Sequence, residues 1–437
     1  MEQKIKKAVF ILFLGMLMLP ALQFKFNFIK LKSLGGNYQF ASRPSFTWDS
    51  WVKMEYQQKY EAYVNDHIGF REFFLRSYNQ TWFTFFRKLH ARDVIMGKNY
   101  TLYERNYIED YTGRNFRGED VINEQLRKVK YLQDTLAKEN IHLLLFFAPG
   151  KASYLPENIP AVYLKDAKAQ TNYRYYTKKS KELGINHIDM NAWFIANKNR
   201  SQYPLYMGGG IHWSLYGMTL AFDSLCRYMA PMQGAPLPLL HIDAVELSDT
   251  ARETDNDIEK GLNLLFSLPY GKYAYPKVSF SESPETKKPQ VMVVADSYWW
   301  NVFGAGYTNN AWNGSSFWYY NEQVYYDKGQ PMSASDTVSL YDEIHRNNFV
   351  IILATEANLY RFGYNFIERL YDIYTGKGDP IADKKRLDQE LVREESVIRA
   401  DENWMKAIRK KAEEGNLPLD TVIRRDAIYM LSIKKNK

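Results

Sequence analysis

Apolar positions fall into three kinds of pattern along this chain. At the start, Lys4, Lys6 and Lys7 precede an unbroken apolar run from Ala8 to Leu22, which Gln23 and Phe24 extend up to Lys25. In the body, amphipathic stretches alternate with short, almost wholly apolar ones. Helical spacing from Trp48 to Lys88 gives way to a strand, turn and short strand between Val94 and Tyr103. A charged amphipathic helix over Val121 to Glu139 then leads into Ile141 to Phe147, which fits a strand buried on both faces. The theme repeats with a helix from about residue 167 to Leu183 before Ile185 to Asp189, and a helix from about Ser214 to Met229. After a polar, proline-marked insertion near 232–289 come two more apolar runs, Gln290 to Val294 and Asn348 to Ala354. The third pattern begins at Asp379. It is charged, nearly free of aromatics and helical in period through Ile398, Trp404, Ile408 and Ala412, with Gly415-Asn416-Leu417-Pro418 as a stop between two helices.

Strands alternating with helices imply βαβ units and a largely parallel sheet covered on both faces, a three-layer α/β architecture of flavodoxin-like kind. The expected organisation is an anchor over residues 1–25, a tether over 26–50 marked by Gly35-Gly36-Asn37 and Pro44, an α/β domain over 51–375 and a helical appendix over 376–437. The lysine-then-apolar order is that of an export signal. The positive flank stays in the cytoplasm, so the rest of the chain is expected outside it, on the periplasmic side of a cell envelope. Bulky residues follow the run in place of a small-residue cleavage site, so the segment is expected to remain as a membrane anchor.

Composition narrows the function. Apolar residues make up 46% and charged residues 24% of the 437, which excludes a disordered chain and a polytopic membrane protein. The surplus of 57 basic over 50 acidic residues is thinly spread and gives no nucleic-acid-binding stripe. Seven scattered histidines and the single Cys226 supply no metal-ligand pattern, so neither a metal nor a cofactor is expected. The aromatic share, 16%, is high. Tyr298, Trp299, Trp300, Trp312, Phe317, Trp318, Tyr319 and Tyr320 crowd one stretch, where ring faces suit either a polysaccharide groove or a packed core.

In an open parallel sheet, ligands bind beyond the carboxyl ends of the strands. Val291-Met292-Val293-Val294 runs directly into Ala295-Asp296-Ser297-Tyr298, delivering a serine hydroxyl to that edge. Asp296 or Ser297 as a plain helix cap is the alternative. A serine needs a base, and among the histidines His212 stands out, in the loop Gly208-Gly209-Gly210-Ile211-His212-Trp213-Ser214 that opens onto a helix. Lys151 and Tyr154 follow a buried strand at the same edge and are candidates to touch substrate, together with Tyr298, Trp299 and Trp300.

Five segments, in order, resemble the SGNH-hydrolase-like proteins of the alginate O-acetylation type and the related DHHW proteins. Asn65 to Arg71 looks like the opening segment, Gly97 to Tyr103 like the glycine-lysine turn, and Phe147 to Glu157 like the Pro-x-Lys loop ending in Pro-Glu. Ile211-His212-Trp213-Ser214 with Gly217 resembles the block that carries the base, and Ala295-Asp296-Ser297-Tyr298 the block that carries the nucleophile. The resemblance implies an envelope O-acyltransferase or esterase acting on an exported polysaccharide. Ser297 is then the nucleophile, His212 the base and Asp296 part of the catalytic block, and a multi-spanning membrane acyltransferase is the partner that supplies acetyl groups. Two positions depart from the family. Ala295 replaces a glycine, and Gly210 stands where the triad aspartate belongs, two residues before the histidine. A backbone carbonyl or another carboxylate can orient His212 instead, and Asp189, at the end of a neighbouring expected strand, is the first candidate. Without one, the chain reads as a catalytically impaired glycan-binding or scaffold protein on the same fold.

Overall fold

The computed structural model describes residues 2–36, 39–165, 167–168, 170–327, 332–415 and 417–435; Asn37 of the tether and Asn416 of the stop signal lie outside them. Eleven strands are found among the described residues. They are β1 (Val94–Met96), β2 (Leu102–Glu104), β3 (His142–Ala148), β4 (His187–Asp189), β5 (Leu239–Ser248), β6 (Tyr273–Ser281), β7 (Gln290–Ala295), β8 (Gly314–Tyr319), β9 (Gln323–Tyr326), β10 (Ser333–Ala334) and β11 (Phe349–Thr355). Seven form the central sheet in the order β10-β9-β8-β7-β11-β3-β4. The five from β8 to β4 are parallel, and β9 and β10 extend one edge antiparallel.

Alternation in the buried strands sends successive side chains to opposite faces, and each face has its own core. Leu144, Phe146, Val291, Val293, Ile351 and Leu353 pack under the helix Leu215–Gln233 and its neighbours. Leu143, Leu145, Phe147, Met292, Val294, Val350 and Ile352 pack under the helices Glu119–Ala137 and Phe366–Asp372. This is the three-layer, SGNH-like α/β fold. Its strand order has a feature of its own: the last parallel strand, β11, lies between β3 and β7, whereas flavodoxin adds its strands outward in sequence order. The carboxyl ends of β7 and β11 are thereby brought side by side at the centre of the sheet.

Around this sheet lie an apolar helix, Glu2–Phe26, long and apolar enough to cross a membrane, and the C-terminal helices Pro380–Ala400, Glu402–Glu414 and Leu419–Lys435. The latter close a small core of their own around Ile398, Ile408 and Ile423. The polar insertion is more structured than its composition implies. It holds the antiparallel ribbon β5–β6 and, between the two strands, the short helix Asp257–Leu262.

Candidate active site

Ser297 follows β7 at the carboxyl edge of the sheet, and His212 comes from the glycine loop before the helix Leu215–Gln233. His212 Nε2 lies 3.0 Å from Ser297 Oγ. On the other side of the ring, Nδ1 lies 2.6 Å from Asp257 Oδ2. A carboxylate only accepts, so Nδ1 carries the proton and Nε2 is left to take the one on the serine. Serine, imidazole and carboxylate are thus linked in the order that activates a hydroxyl nucleophile.

Asp257 comes from the insertion, not from the base block. Its Oδ1 accepts the amides of Ile211 at 2.8 Å and Ile258 at 2.8 Å, so one carboxylate fixes both the ring and the backbone beside it. Asp189, the expected substitute, is elsewhere: it caps the helix Met190–Asn197 through Ala192 N at 2.9 Å and accepts from the Tyr173 hydroxyl. The absence of an aspartate at 210 therefore does not leave the imidazole without an acceptor, and the premise of an impaired site falls with it.

Gly210 is a glycine because that space is taken. A Cβ there would stand 2.6 Å from Thr254 O and 2.8 Å from Asp255 O, on the segment that delivers Asp257. At Gly208 and Gly209 a Cβ would run into the ring of Tyr270, from the same insertion, at 2.4 and 2.5 Å. From the opposite side Lys151 is fully buried, and its Nζ donates to Gly208 O at 2.8 Å and to Gly210 O. Burial pushes the Lys151 amine down to about 7, against the pull of Asp257 and Glu104. Two hydrogens satisfy two carbonyls, so the neutral amine serves as well as the cation.

Several expected substrate contacts are corrected by burial. Lys151 holds the loop from within, Tyr154 is 5% exposed, and Tyr298 and Trp299 are inside the core. Trp299 stacks on Trp312 at 5.8 Å, and Trp300, half-buried, packs against Phe317 and Tyr325. Tyr298 instead ties the two catalytic blocks together. Its hydroxyl donates to Ile211 O at 2.7 Å, so the residue after the serine anchors the residue before the histidine. Asp296 is likewise a positioning residue. Its Oδ2 accepts from Thr355 N at 2.8 Å, Thr355 Oγ1 at 2.9 Å and Asn358 Nδ2 at 2.8 Å, clamping the end of β7 to the end of β11.

The serine opens into a cleft of about 470 Å³ whose walls include Glu104, Tyr107, Tyr319, Tyr320 and Arg361. Burial, followed by the nearby Asp257, raises Glu104 above the usual carboxylate range. Arg361 lies over the Tyr320 ring at 4.3 Å and donates to Asn358 Oδ1. Of the wall residues only Tyr319 and Tyr320 belong to the aromatic stretch that stands out in the sequence. Asp257 was missed there; the acidic run Asp255-Asn256-Asp257-Ile258-Glu259 at a helix start was the available signal.

Residues 94–253 match the family model of the SGNH hydrolase-like domain, acetyltransferase AlgX. That span is similar to the SGNH hydrolase-like domain of this model. The match includes His212 and stops four residues short of Asp257. No curated protein matches. Among solved structures, the O-acetyltransferase domain of Pseudomonas putida AlgJ is similar at 18% identity, covering 64% of this chain and 99% of that one with a TM-score of 0.41. Pseudomonas aeruginosa AlgX is similar at 13% identity, over 63% and 67% of the two chains, with a TM-score of 0.39. A DHHW family protein from Eubacterium siraeum is similar at 13% identity, over 56% and 88%, with a TM-score of 0.36.

Proposed function

We propose that this protein is an SGNH-type O-acetyltransferase of the cell envelope that modifies an exported polysaccharide through an acetyl-serine. The observation that carries the reading is the unbroken chain Ser297–His212–Asp257 at the mouth of an open cleft. His212 Nε2 takes the Ser297 proton as Oγ attacks the carbonyl carbon of an acetyl donor, and returns it to the leaving oxygen when that bond breaks. A sugar hydroxyl then enters and gives its proton to the same nitrogen as its oxygen attacks the acetyl carbon; the bond to Oγ breaks, Oγ takes the proton back from His212, and the acetyl group leaves on the sugar, restoring the serine. Asp257 holds the tautomer throughout and stabilises the transient imidazolium. Asp296, Tyr298 and Lys151 hold the two backbone segments in register.

The match to the AlgX acetyltransferase domain supports acetyl as the group and polysaccharide as the acceptor class. The helix Glu2–Phe26 supports anchoring in a membrane with the catalytic body on the non-cytoplasmic side, and a multi-spanning membrane acyltransferase is the proposed source of acetyl groups. The test is incubation with an activated acetyl ester followed by peptide mass spectrometry. The expected result is one acetyl group on the peptide that contains Ser297 and none in Ser297→Ala. An unmodified serine, with no ester turnover, rejects the reading.

A further inference from the structure

The helix Arg71–Phe86 turns Arg76, Asn79, Gln80 and Phe83 inward and most of its other aromatic rings outward. On one side, Arg76 donates to Leu264 O at 3.2 Å and to Ser33 O at 2.9 Å, Asn79 donates to Leu262 O at 3.0 Å, and Gln80 accepts from the amides of Leu265 and Phe266. Phe83 is buried on the same side. All of these but Ser33 belong to, or pack beside, the stretch that follows Asp257. On the other side Phe74, Tyr78, Trp82 and Phe86 fall at every fourth position, with Phe85 beside them. Phe85 is 76% exposed, Phe86 64% and Tyr78 51%. Trp82 meets Tyr78 at 6.1 Å and Phe86 at 4.7 Å, so these three rings form one stripe, with Phe74 one turn before it. Such a stripe facing water on a soluble body asks for a partner.

Two observations identify that partner as lipid. The stripe is continuous with the apolar helix Glu2–Phe26. Gly69, just before the aromatic helix, packs so closely on the end of the apolar one that a Cβ there would lie 2.2 Å from Pro20 O. Phe28 meets Phe70 at 6.0 Å and Phe70 meets Phe74 at 6.5 Å, so rings run from the exit of the anchor onto the stripe. The charge around it is basic. Lys88 lies over Trp82 at 5.2 Å, Arg92 follows, and Lys25 and Lys30 stand on the chain leaving the apolar helix, whereas Arg87 turns inward over Phe83 and Tyr100. Tryptophan, tyrosine and phenylalanine rimmed by lysine and arginine are the composition of a helix lying at the headgroup level of an anionic bilayer.

We propose that Arg71–Phe86 lies in the plane of the membrane interface on the non-cytoplasmic side, with its aromatic stripe among anionic headgroups and its polar edge gripping the insertion that carries Asp257. This rests on the reading of Glu2–Phe26 as an anchor. The body would then be fixed to the bilayer at two places, and the cleft held at a set height above it.

The test uses the full-length protein in vesicles of mixed phosphatidylethanolamine and phosphatidylglycerol. Single cysteines are introduced as Tyr78→Cys, Phe86→Cys and, as a control on the exposed face of the C-terminal helices, Ser396→Cys. Cys226 is buried and its thiol is pushed well up by burial, so it does not compete for label. With an environment-sensitive fluorophore, the labels at 78 and 86 are expected to shift to the blue and to be quenched by spin labels on shallow acyl positions. The label at 396 is expected to stay water-like. In vesicles of phosphatidylcholine alone the shift at 78 and 86 is expected to shrink. An alkaline carbonate wash separates the two claims. Retention of the protein with water-like, unquenched labels at 78 and 86 overturns the interfacial helix and leaves the anchor standing, a result that favours a protein partner. Release by the wash overturns the anchor and the proposal with it.

Discussion

The end of β7 and the insertion after residue 232 each supply one end of the same hydrogen-bonded chain, and they do so by different physics. Ser297 is placed locally. Five buried residues of β7 fix the strand between β11 and β8, and the next two residues can only emerge at its carboxyl edge. Asp257 is placed by long-range packing. It is 45 residues beyond His212 on a short helix held by the Gly209 carbonyl, which accepts from Glu259 N at 3.0 Å, and by the polar edge of the helix Arg71–Phe86. A nucleophile on a strand end tolerates change in its surroundings; an acid carried by an insertion depends on every contact that seats it.

Removing the two proton-exchanging groups has the largest expected effect. Ser297→Ala and His212→Ala are each expected to lower turnover of an activated acetyl ester by about 10⁶, and the double variant by little more, because the two act as one unit. Additive, small losses in steady-state kinetics would show that the contact between them does no chemistry. Next comes Asp257→Asn, expected to cost about 10⁴ in kcat by presenting the imidazole in the wrong tautomer. Asp189→Ala serves as its counterpart. That change is expected to leave kcat unchanged and to lower stability by about 1 kcal/mol through the weakened helix cap, so a large kinetic loss at 189 and none at 257 would reverse the assignment.

Gly210→Asp distinguishes a vacant acid position from an occupied one. With backbone oxygens 2.6 and 2.8 Å from the added Cβ, the new side chain displaces the segment bearing Asp257 rather than supplementing it. Activity is expected to fall by about 100-fold, the order of loss that an ångström of misplacement brings, and Gly210→Ala to fall in the same direction. A gain in activity with aspartate would mean that the position was empty. Lys151→Met is expected to act on stability before chemistry. It strips the donor from two buried carbonyls, at about 1–3 kcal/mol each, read as a lower urea midpoint.

The smallest effect is a slope with pH. Burial raises Asp110 to about 7, Asp255 to about 7 and Glu356 to about 8. Between the ordinary carboxylate range and these raised values each binds a proton in the folded state that it has released in the unfolded one, so their contribution is complete at acid pH, declines as pH rises above about 4 and is gone by 7 to 8. Lys151, pushed down to about 7, works the other way: the folded state has released a proton that the unfolded chain still holds, and stability recovers from about pH 7 toward the ordinary lysine range. Melting temperature is expected to fall between pH 5 and 8, less steeply in Glu356→Gln, whereas Lys151→Met should lose the alkaline recovery.

The amino-acid pattern alone carried four of the five parallel strands, among them the one that ends in Ser297, and the loop that presents His212, but not β8, β9 or β10. Unbroken apolar runs and alternating amphipathic helices are local patterns with a single stable use, burial between two helical layers. It also marked the apolar helix at the start and the charged helices at the end. Tertiary structure decided the rest. Whether Trp299 faces a sugar or Trp312, and whether Lys151 meets substrate or two loop carbonyls, depends on which surfaces are covered, and neither spacing nor residue type records that. The clearest instance is the acid. Gly210 reads as a loss as long as the carboxylate is sought beside the histidine, and only the folded insertion, entering from 45 residues away, shows that its backbone fills the space at 210 while its Asp257 reaches the ring.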